Sequence, residues 1–264
     1  MSSRAIQTAF WILATAGLAI IVLRPLENKM VYFPERTLHG SPADAGLDFE
    51  DVRLATSDGV RIHAWHVRVP DAKAIVILFH GNAGNISGRV PWATAFAAER
   101  MEALLVDYRG FGRSEGAPSE EGLYRDADAA WEWARPRGLP VVAYGESLGG
   151  AVAIDLASRH PVAALVVQSS FTRLSEMADR IFPFAGALVS QRFDSIDKIR
   201  RVRASILVVH GDRDEIVPYE MGARLHAAAP SPEPFFTVAG AHHNDVVDLA
   251  ATPIAERVAA LVSR

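Results

Sequence analysis

The stretch that decides the fold reads Val141-Val142-Ala143-Tyr144-Gly145-Glu146-Ser147-Leu148-Gly149-Gly150-Ala151-Val152-Ala153. Its first half is a short apolar run, typical of a strand buried on both faces of a parallel sheet, and its second half is typical of a helix. Gly145 and Gly149 flank Ser147 in a G-x-S-x-G pattern, which allows a sharp turn where a Cβ would collide with the neighbouring backbone. The pattern predicts a Ser147 hydroxyl raised at the carboxyl end of the strand, beside the positive end of the helix.

A G-x-S-x-G pattern alone is not specific, because it also occurs in ordinary glycine-rich turns. A nucleophilic serine on this kind of turn needs a carboxylate and then a histidine downstream, each following a later strand. It also needs a backbone oxyanion donor upstream. The rest of the sequence therefore decides whether Ser147 is a candidate nucleophile.

From residue 74 onward, short apolar runs alternate with amphipathic stretches. The runs are 74–79, 103–106, 141–144, 163–167, 206–209 and 235–238, and the predicted helices are 90–100, 121–134, 148–158, 219–229 and 246–263. Repeated βαβ units of this kind predict an α/β fold with a doubly wound, mostly parallel sheet and helices on both faces. Before them, segments 52–55 and 60–69 surround Ser57-Asp58-Gly59 and predict a β-hairpin. Ligands of such sheets bind at the carboxyl ends of the strands.

The required acid and base follow the last two apolar runs. Asp212 and Asp214 come just after the fifth run, and His242 and His243 come just after the sixth. The chain order Ser, Asp, His is the one expected when a nucleophilic serine lies on this kind of strand–turn–helix in such a fold. The spacing alone does not choose between the two members of either pair.

A glycine-rich turn follows the first apolar run. It reads Phe79-His80-Gly81-Asn82-Ala83-Gly84-Asn85. A backbone N–H from this turn can join that of Leu148 as a second oxyanion donor. The serine turn, the acid pair, the histidine pair and the glycine-rich turn each follow the appropriate strand. Together they predict nucleophilic catalysis by Ser147.

Length and composition narrow the class of protein. The chain has 264 residues, half of them hydrophobic, which suits one large α/β domain. Its net charge of −4 and its lack of a basic block exclude a nucleic-acid-binding footprint. It has no cysteine, which excludes disulfides, thiolate metal sites and a cysteine nucleophile.

A long apolar segment lies near the N-terminus. It runs from Ala5 to Leu23 and is followed by Arg24-Pro25. At 1.5 Å per residue, such a helix would reach roughly 28 Å, about the thickness of a bilayer's hydrocarbon core. We predict a single-pass membrane anchor over residues 1–30 and an α/β domain over 31–264, with a cleaved signal peptide and a core helix as alternatives for the apolar segment. Flanking charges do not decide which side of the membrane holds the domain.

One interval interrupts the βα alternation. Residues 170–203 are too long for a simple crossover and contain an apolar stretch at 181–189. The segment is either an extra core helix or a lid-like insertion over the site, because long insertions of this kind often serve as lids.

The sequence resembles the Bem46-type branch of the α/β-hydrolase superfamily. The resemblance rests on the turn at 79–85, Asp107-Tyr108-Arg109-Gly110-Phe111-Gly112-Arg113-Ser114-Glu115-Gly116, Tyr144-Gly145-Glu146-Ser147-Leu148-Gly149-Gly150 and His243-Asn244-Asp245, and it extends from about Tyr32 to the end. It implies that His243 rather than His242 is the base, and that Asp214 rather than Asp212 is the acid. It also implies membrane attachment, which is frequent in this branch.

By this resemblance the chain is expected to be a serine hydrolase that cleaves acyl esters or thioesters of small molecules or lipids. Ser147, His243 and Asp214 would form the catalytic triad, and the N–H groups of Asn82 and Leu148 would bind the oxyanion. This chemistry needs no metal or organic cofactor. The alternatives are a peptidase of the same fold and a membrane-tethered binding protein without catalysis. Ser147 at the turn excludes a dehalogenase, which needs an aspartate there.

Overall fold

The computed structural model describes residues 26–263, which are built around an eight-stranded sheet. Its strands are hydrogen-bonded in the order β10-β9-β8-β7-β4-β6-β3-β2. They are β2 (Phe49–Ala55), β3 (Arg61–Val67), β4 (Ala74–Phe79), β6 (Met101–Asp107), β7 (Val141–Glu146), β8 (Ala164–Gln168), β9 (Ser205–Gly211) and β10 (Phe236–Val238). Two shorter strands, β1 (Phe33–Pro34) and β5 (Ala83–Gly84), form a separate parallel pair.

The central strands coincide with the apolar runs of the sequence. Every residue of β4, β7 and β8 is buried, as expected for parallel strands covered on both faces. Strand β7 pairs in parallel with β4 and with β8, so the carboxyl ends of these strands meet at one edge of the sheet. The prediction of a doubly wound, mostly parallel sheet is confirmed.

Helices cover both faces of the sheet. They are α1 (Val90–Ala98), α2 (Glu120–Ala134), α3 (Leu148–Arg159), α4 (Leu174–Ile181), α5 (Ser195–Lys198), α6 (Tyr219–Ala228) and α7 (Val246–Val262). Buried side chains of α2, α3 and α6 belong to one apolar cluster, and those of α1 and α7 belong to a second. The sheet separates the two clusters, because successive strand residues point to opposite faces.

The predicted hairpin is present at one end of the sheet. Strands β2 and β3 are antiparallel partners, and Thr56 N donates to Val60 O at 3.0 Å across the turn. Gly59 has a φ of 82°, a left-handed conformation that glycine adopts without strain. Strand β3 also pairs antiparallel with β6, which joins the hairpin to the parallel part of the sheet.

The interval 170–203 forms two helices, α4 and α5, with 3-10 turns at Ala185–Leu188 and Ile199–Arg201. Its apolar stretch does not enter the core, since Ile181, Phe182, Phe184 and Leu188 are all exposed. Residues 181–189 therefore do not form an extra core helix. The assignment of this interval as a lid stays a prediction.

Residues 26–31 are helical and contact Ser190 and Gln191 of the interval 170–203. The Glu27 carboxylate accepts hydrogen bonds from Ser190 N at 3.0 Å and from Gln191 N at 2.9 Å. Within residues 26–263 no helix is both long and apolar enough to cross a bilayer. The predicted anchor at Ala5 to Leu23 lies outside the described residues and stays a prediction.

Candidate active site

A sharp turn at Ser147 joins β7 to α3. Ser147 has φ 52° and ψ −115°, a conformation that residues with a side chain rarely adopt and that surrounding contacts must enforce. Its N–H donates to Gln168 O at 2.8 Å, and its carbonyl accepts from the Ser170 hydroxyl at 2.7 Å. These contacts hold the serine in the predicted strand–turn–helix geometry.

The two glycines of the G-x-S-x-G pattern allow close backbone approach. A Cβ built on Gly145 would lie 2.1 Å from Gly149 O, and one built on Gly149 would lie 2.0 Å from Phe79 O. Both distances are far below van der Waals contact. The pattern is therefore required for α3 to begin directly against the ends of β4 and β7.

Ser147, His243 and Asp214 form a continuous chain of hydrogen bonds at the carboxyl edge of the sheet. His243 Nε2 lies 3.1 Å from Ser147 Oγ, and His243 Nδ1 lies 2.8 Å from Asp214 Oδ2. Because an ionised carboxylate only accepts, Nδ1 must carry the proton, and Nε2 of a neutral ring is then free to accept from the serine hydroxyl. These three groups have the order and spacing that general-base activation of a serine requires.

Asp214 is held as a buried carboxylate. Its side chain has no exposed surface. Burial acts to raise its pKa, but hydrogen bonds from His210 and His243 and from the backbone N–H of Val217 outweigh burial, so the pKa lies well below its usual range. Asp214 therefore remains negatively charged at neutral and mildly acidic pH, which favours a protonated Nδ1 on His243.

Sequence analysis did not single out His210, although it lies on β9 just before the candidate acids. Its Nε2 lies 3.2 Å from Asp214 Oδ2 and 3.0 Å from Val217 O. Since a carbonyl can only accept, Nε2 carries the proton and donates. His210 therefore helps to fix the same Asp214 oxygen, Oδ2, that contacts His243.

The neighbouring acid and base candidates point elsewhere. His242 is exposed and its Nδ1 lies 3.0 Å from Glu215 Oε2. Asp212 is also exposed and accepts from Gly240 N at 2.7 Å. Of the two predicted pairs, the structure thus brings His243 and Asp214 to Ser147 and leaves the other two in surface contacts.

The predicted oxyanion donors, Asn82 and Leu148, lie in the turn after β4 and at the start of α3. A Cβ at Gly81 would lie 3.6 Å from Ser147 Cβ, so the turn after β4 packs directly on the serine. Asn82 follows, and its carbonyl accepts from Phe33 N at 2.8 Å. Leu148 is the first residue of α3, where a backbone N–H has no partner within the helix. Among the described residues, neither N–H donates in a loop or turn hydrogen bond.

A charged pair that sequence analysis missed lies beside these loops. Glu146, the residue before the serine, accepts from Arg89 Nε at 2.8 Å and from Trp92 Nε1 at 2.5 Å. Only 12% of the Glu146 side chain and 22% of the Arg89 side chain are exposed. The pairing was not predictable from spacing, because it joins residues on different elements.

Comparison with known proteins identifies the family. The serine aminopeptidase S33 family of hydrolases matches residues 70–197. An uncharacterized protein of Mycobacterium tuberculosis is 36% identical over 251 residues, which covers 92% of this chain and 89% of that protein. Protein bem46 of Schizosaccharomyces pombe is 32% identical over 226 residues, which covers 78% of this chain and 76% of that protein.

Solved structures agree with the fold. The esterase Pf2001 of Pyrococcus furiosus superposes with a TM-score of 0.73 at 20% identity, covering 89% of this chain and 97% of that one. Est1E of Butyrivibrio proteoclasticus, solved with ferulic acid, superposes with a TM-score of 0.68 at 18% identity and covers 81% of this chain and 100% of that one. Such identities establish the fold alone. Together with the sequence relatives, they place this chain in the α/β-hydrolase superfamily, as a hydrolase of the Bem46 type.

Proposed function

We propose that this chain is a membrane-anchored serine hydrolase that cleaves acyl esters or thioesters through an acyl-enzyme. The observation that carries the proposal is the unbroken hydrogen-bond chain from Ser147 Oγ through His243 to Asp214. The esterases among the structural neighbours support an ester substrate in particular.

In the first half of the reaction, His243 Nε2 takes the proton of the Ser147 hydroxyl while Oγ attacks the acyl carbonyl carbon. The carbonyl oxygen becomes an oxyanion and is stabilised by the N–H groups of Asn82 and Leu148. When the intermediate collapses, the bond to the leaving oxygen or sulfur breaks and that atom takes the proton from His243. The acyl group remains on Ser147.

In the second half, His243 takes a proton from water as the water oxygen attacks the acyl-enzyme. Collapse of this second intermediate breaks the bond to Ser147 Oγ, which recovers its proton from His243 and releases the acid. The Asp214 carboxylate stabilises the imidazolium formed in each half and keeps the ring oriented. All proton transfers are thus made by one imidazole.

A peptidase of the same fold is the second candidate, because the matching family is described as a serine aminopeptidase. An aminopeptidase must hold the ammonium group of its substrate near the nucleophile. The guanidinium of Arg89 lies beside Gly81, the residue that packs on Ser147, and the nearby Glu146 carboxylate is already engaged by Arg89 and Trp92. A cation at this place disfavours an ammonium group, so we favour an ester or thioester substrate.

A substrate series tests the reaction class. We expect the purified protein to hydrolyse 4-nitrophenyl esters, from acetyl to palmitoyl, and the matching acyl thioesters. We expect much slower cleavage of aminoacyl 4-nitroanilides, because the Arg89 guanidinium near Ser147 disfavours the ammonium group of such a substrate. The measurement is kcat/KM for each substrate by absorbance, with a thiol reagent for the thioesters. Faster turnover of the nitroanilides would identify a peptidase. Absence of both turnover and fluorophosphonate labelling would identify a binding protein.

The membrane part of the proposal rests on the apolar sequence from Ala5 to Leu23 and on exposed apolar side chains within residues 26–263. In the insertion, Phe184 is 86% exposed and Leu188 is 78% exposed. Leu26 and Met30 are also exposed, on the helical residues that hydrogen-bond to the insertion just after Leu188. Large apolar side chains concentrated in this way are typical of surfaces that contact another apolar phase.

We expect the full chain to sediment with membranes and to stay there in high salt and in alkaline carbonate, because hydrophobic attachment does not depend on charge screening. The measurement is immunoblotting of pellet and supernatant after each wash. Release by carbonate would indicate peripheral attachment instead. A mature N-terminus after residue 24 would indicate a signal peptide.

Fluorophores attached to single cysteines in the same membrane preparation can show which surface of the protein contacts lipid. The chain has no cysteine, so Phe184→Cys and Leu249→Cys each offer one labelling position, and Leu249 is a matched exposed apolar residue on α7. A polarity-sensitive fluorophore should shift to shorter wavelength and be quenched by lipid-attached quenchers at position 184 but not at 249. Equal emission at the two positions would contradict lipid contact by the insertion.

A further inference from the structure

We propose that Arg89 forms an anion-binding subsite beside Ser147, so that the preferred ester or thioester carries a carboxylate or phosphate group close to its scissile carbonyl. This inference rests on the proposed function and specifies the substrate class. It concerns a residue outside the Ser147–His243–Asp214 chain, and it follows from where the Arg89 guanidinium lies and which of its nitrogens are engaged.

The position of Arg89 is defined by two glycines of the turn after β4. A Cβ built on Gly81 would lie 3.6 Å from Ser147 Cβ and 3.7 Å from Arg89 Nη2. A Cβ built on Gly84 would lie 3.7 Å from Arg89 Nη1. The guanidinium and the serine therefore face the same side of Gly81, and the guanidinium extends along the loop that carries the oxyanion donor Asn82.

The two terminal nitrogens of the Arg89 guanidinium have no hydrogen-bond partner among the described residues. Arg89 Nε donates to Glu146 Oε2 at 2.8 Å, which accounts for one of its donors. Among residues 26–263, neither Nη1 nor Nη2 of Arg89 donates a hydrogen bond. The four N–H bonds of these two nitrogens form the planar fork that binds carboxylate and phosphate in a bidentate manner.

The surrounding contacts hold this fork in place before any substrate arrives. Glu146 is itself fixed by Trp92 Nε1, so it orients Arg89 through Nε. The backbone of the segment that carries Arg89 is fixed at its start, where Ile86 N donates to the buried Asp107 carboxylate at 2.9 Å. A preoriented, mostly buried arginine loses little conformational freedom on binding an anion, which favours binding.

The charge balance is compatible with anion binding. Glu146 neutralises the pair as a whole, which avoids leaving a mostly buried cation without a partner. Its two oxygens are nevertheless occupied by Arg89 and Trp92, on the Nε side of the guanidinium. The Nη side, whose N–H groups donate no hydrogen bond among the described residues, remains the positive end of the pair, and Nη2 lies next to Gly81, which also packs on the serine.

Paired substrates test the proposal. 4-Nitrophenyl hydrogen glutarate and 4-nitrophenyl valerate differ in a terminal carboxylate on the acyl side. 3-Carboxy-4-nitrophenyl acetate and 4-nitrophenyl acetate differ in a carboxylate on the leaving group. We expect the wild-type kcat/KM ratio of anionic to neutral ester to fall by about 10-fold to 100-fold in Arg89→Gln for one of the two pairs, the effect of losing a charge-assisted bidentate contact. The pair that responds identifies the side that carries the anion.

Arg89→Lys and Arg100→Gln complete the design. The lysine keeps the charge but not the fork, so we expect an intermediate ratio. Arg100 precedes β6, at the opposite end of the sheet, and donates to Asp71 O, so removing its charge should leave both ratios unchanged. The ratio separates recognition from folding damage, because folding damage lowers kcat/KM equally for both esters of a pair.

An unchanged ratio in Arg89→Gln would overturn the subsite while leaving the proposed function intact. Absence of turnover of all four esters by the wild type would overturn the proposed function itself.

Discussion

Replacing Ser147 with alanine is expected to lower ester hydrolysis to background, a fall of roughly 10⁶-fold in kcat by analogy with serine nucleophiles of known enzymes. Fluorophosphonate labelling should disappear as well, because the substitution removes the only atom that attacks the acyl carbonyl. The measurements are kcat on 4-nitrophenyl acetate and labelling intensity on a gel. Persistent labelling of the variant would show that another residue is the nucleophile.

The variant should stay folded, and this separates chemistry from stability. Alanine keeps the Cβ that occupies the turn, and the Ser147 backbone remains bonded to Gln168 and Ser170. Ser158→Ala is a matched control, since it removes a hydroxyl that donates to Asp155 O on the same helix. We expect both variants to unfold at about the wild-type temperature, and only the first to lose activity.

Much of the fold was predictable because parallel strands buried on both faces have continuous apolar sequences. Strand β4 has the predicted bounds, Ala74–Phe79. Strand β6 is longer than the apolar run 103–106, because Met101 and Glu102 also pair with β4 and Asp107 pairs with β3. A polar residue can extend a strand through its backbone hydrogen bonds, and hydropathy does not detect such an extension.

The turn at Ser147 was predictable for a different reason. Its two glycines are required by local backbone contacts, which a five-residue pattern records directly. No comparable local sequence pattern distinguishes His242 from His243. Neighbouring residues in an irregular loop have no fixed period, so only the resemblance to a family, and then the position of each ring, could separate them.

The contacts of Arg89 and of residues 26–31 could not be inferred from sequence. Arg89 meets Glu146 57 positions away, and Glu27 meets Ser190 163 positions away. Both contacts depend on how separate elements are juxtaposed after folding. The second also implies that removing the residues before Tyr32 would leave Ser190 N and Gln191 N without the Glu27 carboxylate that accepts their hydrogen bonds.

His243→Ala is expected to lower kcat by about 10³-fold or more, the contribution of a general base that serves both halves of the reaction. His242→Ala should change kcat little, because its ring is exposed and bonded away from Ser147. The acids offer the same comparison: Asp214→Asn should be severe, since an amide cannot hold the protonated Nδ1 of His243 as a carboxylate does, whereas Asp212→Asn should be mild. Steady-state kinetics on one soluble ester at several pH values would measure all four. A larger loss in the His242 variant would show that His242 rather than His243 is the base, and the mechanism would then need a rearranged loop to bring that ring to the serine.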